Sequence, residues 1–263
     1  MSTLEEARAL ARNLHALGGG ATVRRKAAAR ELARREPFDT NELIGHLLSL
    51  ARAGQAPATC VLSDFMAALD QEAEHIPHVE ALRRMAHVQS LEAVADLFAQ
   101  GPARKELDAD AAARADALAA NQSLGHLKQQ ARLTRDPDVL SRLATVSNPA
   151  VLRNVLLNPR LTEPLVVRIA ARRPARPEPL VEIWKASRWS VRHAVRRALV
   201  FNPYLPPEVG AKIVPLLNTA DLRELVADAG LLPALRQQAA RLLLEPAPGT
   251  PPGPLVLPDG EEF

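Results

Sequence analysis

The sequence predicts an all-α protein: an N-terminal helical bundle followed by a solenoid of short helix pairs in a right-handed stack. Three observations carry this reading. First, Asn158-Pro159-Arg160-Leu161 returns 44 residues later as Asn202-Pro203-Tyr204-Leu205. At the same offset Val151 and Arg153 meet Val195 and Arg197, and Arg168-Ile169 meets Lys212-Ile213. A further 44 residues on, Arg197 reaches Arg241 and Arg192 reaches Arg236. A helical period of this length marks units that cannot bury their own apolar face and must stack. Second, hydrophobic residues make up 47% of the 263 but aromatics only 3%, so the core is built from Leu, Val and Ala, and Leu and Ala are strong helix formers. Third, Pro149, Pro164, Pro179 and Pro207 each sit beside a new apolar run. The first helical turn accepts proline, whose missing N–H costs nothing there.

Taken in order, Ser2 or Thr3 opens a first helix with Glu5 and Glu6 at capping-box distance. It ends near Leu17 at Gly18-Gly19-Gly20, a flexible break. A second helix runs from Val23 to Arg35, and Thr40 caps a third from Asn41 to Arg52, stopped by Gly54. Helices near 58–70, 78–88 and 91–99 complete a bundle over residues 1–102. Residues 103–123, rich in Ala and Asp, form an acidic connector and the domain boundary. A repeat domain over 124–244 follows, with helices near 124–133, 137–145, 149–157, 163–172, 178–186, 189–200, 207–217, 220–228 and 233–244. The Pro-rich stretch 245–263 lacks apolar periodicity and reads as a disordered tail. In the helix at 189–200, Val191, Ala194, Val195, Ala198 and Leu199 form one apolar stripe, which leaves Arg188, Arg192 and Arg196 on the outside.

The elements Asp136-Pro137-Asp138-Val139, Asn148-Pro149-Ala150-Val151, Asn158-Pro159-Arg160-Leu161-Thr162 and Asn202-Pro203-Tyr204-Leu205 resemble those of bacterial HEAT-like and leucine-rich-repeat-variant proteins. The resemblance covers residues 124–244. It implies a HEAT-like fold and a binding scaffold. The 44-residue unit is longer than that family's, and the cysteine cluster that some of its members carry is missing, so no iron–sulfur site is inferred.

Charge is unevenly spread. Residues 142–200 hold 12 Lys/Arg against 3 Asp/Glu, whereas 61–125 hold 5 against 11 and 201–263 hold 4 against 8. A basic face on the repeats, for an anionic partner or for the chain's own acidic segment, follows from this asymmetry. Its members are Arg168, Arg172, Arg173, Arg176, Lys185, Arg188, Arg192, Arg196 and Arg197, with Trp189 as an exposed aromatic beside them and Trp184 in the core. Without Arg197 and with Trp189, nine residues are the candidate contacts for a protein partner with an acidic surface. The alternative is nucleic acid, bound through phosphate contacts, as in DNA glycosylases built of HEAT-like repeats. No Asp lies between Arg142 and Ala220 to stabilise a cationic sugar, however.

No catalytic set or cofactor site stands out. His75 and His78 flank Pro77, which spoils a shared ligand face, and they read as a solvated helix start. His193 sits among arginines. The single cysteine, Cys60, reads as a small core residue, which excludes an internal disulfide and fits a reducing, cytoplasmic setting. Ser63-Asp64 reads as a turn cap, and the glycine run lacks the Lys-Ser/Thr of a phosphate loop. No run of about 18 apolar residues predicts a membrane span.

Overall fold

A computed structural model describes residues 3–108, 123–144, 146 and 148–244. Most of the connector expected at 103–123, and the tail expected at 245–263, lie outside the described residues. Among the described residues the chain is all-helical, without a strand. Helices α1 (Thr3–His15), α2 (Gly20–Arg34), α3 (Pro37–Arg52), α4 (Ala56–Gln71), α5 (Val79–Val88) and α6 (Glu92–Ala95) make the N-terminal half. Then come α7 (Leu124–Leu133), α8 (Pro137–Leu143), α9 (Pro149–Leu156), α10 (Glu163–Ala170), α11 (Pro177–Lys185) and α12 (Ser187–Ser190). The chain goes on through α13 (His193–Val200), α14 (Pro207–Ile213), α15 (Thr219–Ala227) and α16 (Pro233–Leu244).

Helix ends follow local chemistry. Gly19 and Gly20 open α2 with φ of 89° and 83°, backbone that a side chain would strain. Helix α3 starts a turn earlier than expected, because Pro37 fits its first turn; Thr40 is therefore not the cap but lies buried inside the helix. Asp136 and Asn148 cap α8 and α9 through their side-chain oxygens.

In the N-terminal half α3 and α4 pack on each other and on α1, and α2 lies against α4. Further along, α9 packs between α7 and α11, and α10 lies on α13. Helices Pro149–Leu156 and His193–Val200 begin and end 44 residues apart. Helix α14 joins the halves. Its residues Pro207, Val209, Gly210, Ala211, Lys212 and Ile213 are all buried, and it touches α4, the turn Asp96–Phe98, α13 and α16. Apolar side chains from Ala7 to Leu242 form one continuous core. Polar ties cross the same seam as well, among them one from Arg196 Nη2 to Ser63 Oγ at 2.6 Å. Trp184 Nε1 donates to Asp70 Oδ2 at 3.1 Å, Arg241 Nε to Asp96 Oδ2 at 2.9 Å, and the Lys105 N–H to the Pro203 carbonyl at 3.0 Å.

The repeated Asn-Pro pairs do the same work twice. Asn158 is fully buried, and its Nδ2 donates to the carbonyls of Ala131 (2.9 Å) and Thr134 (3.0 Å) at the end of α7. Asn202 Nδ2 donates to the carbonyls of Ala170 (2.7 Å) and Arg172 (3.0 Å) at the end of α10. Each asparagine Oδ1 accepts the N–H two residues on, from Arg160 and Tyr204. The last carbonyls of a helix have no partner within it, so each buried amide closes one helix while shaping the loop that leads to the next.

Candidate functional site

Six of the nine predicted contact residues are exposed: Arg168, Arg172, Arg173, Lys185, Arg188 and Arg192. Arg176 is half-buried. These cations sit on α10 and its following loop, at the end of α11, in α12, and just before α13. Several are already engaged. Arg173 Nη2 donates to the Phe201 carbonyl, Arg188 Nη1 to the Asn158 carbonyl at 3.3 Å, and Arg192 stands 3.8 Å from Glu163.

Two of the nine are not on the surface. Trp189 is 3% exposed, and its Nε1 donates to the Leu156 carbonyl at 2.9 Å, which closes the end of α9. Arg188 lies over its ring, 4.5 Å from the centroid, so the arginine rather than the indole meets solvent. Arg196 is 8% exposed. Its Nε donates to the Ser190 carbonyl and its Nη2 to Ser63 Oγ of α4, both at 2.6 Å. Burial pulls this guanidinium down to about 10, and the nearby Cys60 and Asp64 only partly offset the effect.

The expected apolar stripe on 189–200 is also rotated. Val195, Arg196, Leu199 and Val200 are buried, whereas Val191 is 46% exposed and Ala194 is exposed. The cause is a break between α12 and α13, where Arg196 takes the Ser190 carbonyl that a continuous helix would pair internally. A sequence signal for this existed. At the 44-residue offset Arg196 falls on Leu152, which is buried, so the repeat marks a core position. Likewise Lys212 falls on the exposed Arg168 but is itself buried, because α14 lies under the N-terminal half. Its Nζ donates to the Glu208 carbonyl at 2.8 Å, and burial lowers its pKa.

A groove of about 420 Å³ opens where α9 ends beside α11 and α12. Leu156, Leu157 and Ala186 supply its apolar surface, and Arg153, Lys185 and Arg188 supply cations. Its one acid, Glu182, is held by Arg153 through Nε and Nη2 at 2.8 and 2.7 Å. Leu157 is 65% exposed. Arg153, Leu157 and Glu182 were absent from the sequence-based site. Leu157 had a signal, an apolar residue immediately before Asn158-Pro159 and repeated as Phe201.

The arginine column of the repeat is structural at each step. Arg153 pairs with Glu182, and Arg197 with Asp221 (3.0 Å) and Glu224 (2.6 Å). Arg241 pairs with Asp96 across the seam. His193 Nε2 lies 2.9 Å from Asp221 Oδ2, beside this ion-pair group.

The remaining candidates have local roles. His75 lies near Glu72 and Glu74, at 3.6 and 3.7 Å, whereas His78 Nε2 bonds the Leu32 carbonyl at 3.0 Å, so the two histidines face different partners. Half-buried Cys60 sits in a pocket of charge with Arg24, Asp64 and Arg196, and burial raises its thiol pKa. Asp64 is not a turn cap but lies within α4 and pairs with Arg24 at 2.8 Å. Its burial outweighs that bond and lifts its carboxyl above the usual range. Among the described residues no group of three or more His, Cys, Asp or Glu side chains is placed to hold a metal ion. No described helix is long and apolar enough to cross a membrane. Comparison of the chain with protein-family models, with curated proteins and with solved structures finds no significant match.

Proposed function

We propose that this chain is a non-catalytic scaffold, bacterial and cytoplasmic, in which residues 124–244 form a HEAT-like repeat stack that docks an acidic protein partner. The observation that carries the reading is a groove that sets exposed Leu157 beside Lys185 and Arg188, on a stretch of chain where Arg168, Arg172, Arg173 and Arg192 are exposed as well. Cations set orientation and encounter rate, and the apolar floor adds affinity. Burial of both indoles argues against the nucleic-acid alternative, which would use a ring as a stacking platform.

The test compares the full chain with its R168E/R173E/R192E variant as bait for partners, alongside a salt-titrated DNA mobility shift. Capture of an acidic protein, weakened at least tenfold by the triple reversal, is the expected result. Capture indifferent to the reversal would overturn the reading. Sub-micromolar DNA binding with a steep salt slope would replace the protein partner with nucleic acid.

A further inference from the structure

We infer that the groove between α9, α11 and α12 takes the acidic, aliphatic segment Leu255–Phe263 of the same chain, an intramolecular occupant that a partner must displace. This rests on the reading of the basic face as a docking surface and names the ligand chemistry that its groove fits.

The groove has two unequal sides. One is apolar, with Leu156, Ala186 and the exposed Leu157. The other is cationic. Because Arg153 already neutralises Glu182, Lys185 and Arg188 are left as surplus charge. An occupant that satisfies both sides needs aliphatic side chains followed closely by carboxylates, and no cation of its own. Leu255-Val256-Leu257 followed by Asp259, Glu261 and Glu262 has that order, and no Lys or Arg occurs after Arg241. Covering Leu157 with an aliphatic side chain removes apolar surface from water. Placing carboxylates against Lys185 and Arg188 adds electrostatic complementarity.

Reach allows it. Described structure ends at Leu244 on α16. From α16 the packing runs to α14, then α13, then α11, three helix steps. At interaxial distances of 8–10 Å these steps span about 24–30 Å. The ten residues 245–254 can span at most about 33–36 Å.

Zero-length carbodiimide coupling of the full chain tests this directly, because the chain has only five lysines: Lys26, Lys105, Lys128, Lys185 and Lys212. Mass spectrometry of the monomer band should show Asp259, Glu261 or Glu262 joined to Lys185. The yield should be at least fivefold that to exposed Lys26 or Lys105, unchanged over a tenfold range of protein concentration. It should fall with added salt and in the R188E and L157S variants. A labelled Leu255–Phe263 peptide should bind a D259N/E261Q/E262Q chain at least tenfold more tightly than wild type. Even coupling across the exposed lysines, or Lys185 coupling confined to a dimer band, would overturn the inference, the latter making a second copy the occupant. If coupling fails while the R168E/R173E/R192E reversal still abolishes partner capture, the docking face stands without its internal occupant. If both fail, the functional reading falls as well.

Discussion

The two halves of the molecule share two devices, arginine–carboxylate ties and side chains that bond backbone carbonyls, but lean on them differently. In the first, α1 to α4 run 13 to 16 residues, and arginine–carboxylate pairs tie them sideways: Arg24 to Asp64, Arg25 to Glu72 and Arg35 to Glu6. In the second, most helices from α8 to α15 have only 7 to 9 residues. Every helix leaves about four carbonyls without an internal partner, whatever its length. A short helix therefore orphans a larger share of its backbone. Here side chains meet that need: Asn158, Asn202, Trp189, Arg188, Arg196 and Gln238 all donate to backbone carbonyls. An arginine-rich stretch in a short-helix array is thus partly a set of backbone caps, and only the remainder is available to a partner.

The sharpest way to break this contrast is to remove the buried amides. Asn158→Ala and Asn202→Ala each strand at least two carbonyls away from water, and an unsatisfied buried group costs about 1–3 kcal/mol. Each should therefore lose roughly 2–4 kcal/mol in urea unfolding. Glu6→Gln, which removes an exposed lateral tie to Arg35 in the first half while Arg35 keeps Glu31, should lose about 1 kcal/mol. Equal losses would mean that the two halves do not differ in how they are held.

Next in size is Arg196, a cation in a position that the repeat gives to leucine. It has hydrogen bonds to Ser190 and Ser63 but no carboxylate within ion-pair distance among the described residues. Replacing an ill-compensated buried charge with an apolar side chain of similar volume is commonly neutral or stabilising. Arg196→Met should match or exceed the wild type in melting temperature, whereas Arg196→Ala should lose about 2–3 kcal/mol through the void it leaves. A large loss in Arg196→Met would show that the guanidinium hydrogen bonds, and not the volume, hold α4 to the second half.

These outcomes bear on what the sequence could reveal. Helix existence and register were legible from proline placement and the 44-residue offset, and α7 and α16 fall at the bounds the periodicity implies. The Asn-Pro repeat was legible as a pattern, but not as a carbonyl clamp, because the carbonyls it serves lie 24 to 32 residues away. Six of the nine expected contact residues are exposed. The burial of Arg196 and Trp189 was not legible, since a helical stripe read along one segment assumes that the helix is continuous. The seam through α14 was not legible at all. Nothing local in Lys212 distinguishes it from Arg168; only the packing of the first half over α14 does.

A smaller effect sharpens the account of Trp189. With its ring buried and Nε1 on the Leu156 carbonyl, Trp189→Phe should keep the packing and lose one hydrogen bond, about 1–2 kcal/mol. Trp184→Phe should behave similarly through its bond to Asp70. Iodide should quench neither indole efficiently in the native state. Strong quenching in the Trp184→Phe variant, where Trp189 alone reports, would return that ring to the surface.

The smallest expected effect concerns the arginine column. Arg153 and Arg197 are well exposed, with 63% and 42% of their side chains in contact with solvent, and their partners Glu182 and Asp221 are nearly buried. Water screens such pairs, so Arg153→Gln or Arg197→Gln should each cost about 1 kcal/mol or less in dilute buffer. The cost should shrink further as salt is added. The two should not be equal. Losing Arg153 leaves Glu182 with no other cation paired to it among the described residues and exposes the groove to an unpaired carboxylate, whereas losing Arg197 leaves His193 beside Asp221. Arg153→Gln should therefore be the costlier substitution, and it should also weaken binding of any acidic occupant, since it returns a negative charge to the groove. If Arg153→Gln leaves acidic-peptide binding untouched while Lys185→Glu abolishes it, the groove's charge balance is set by Lys185 and Arg188 alone, and the repeat column serves only to hold the helices in register.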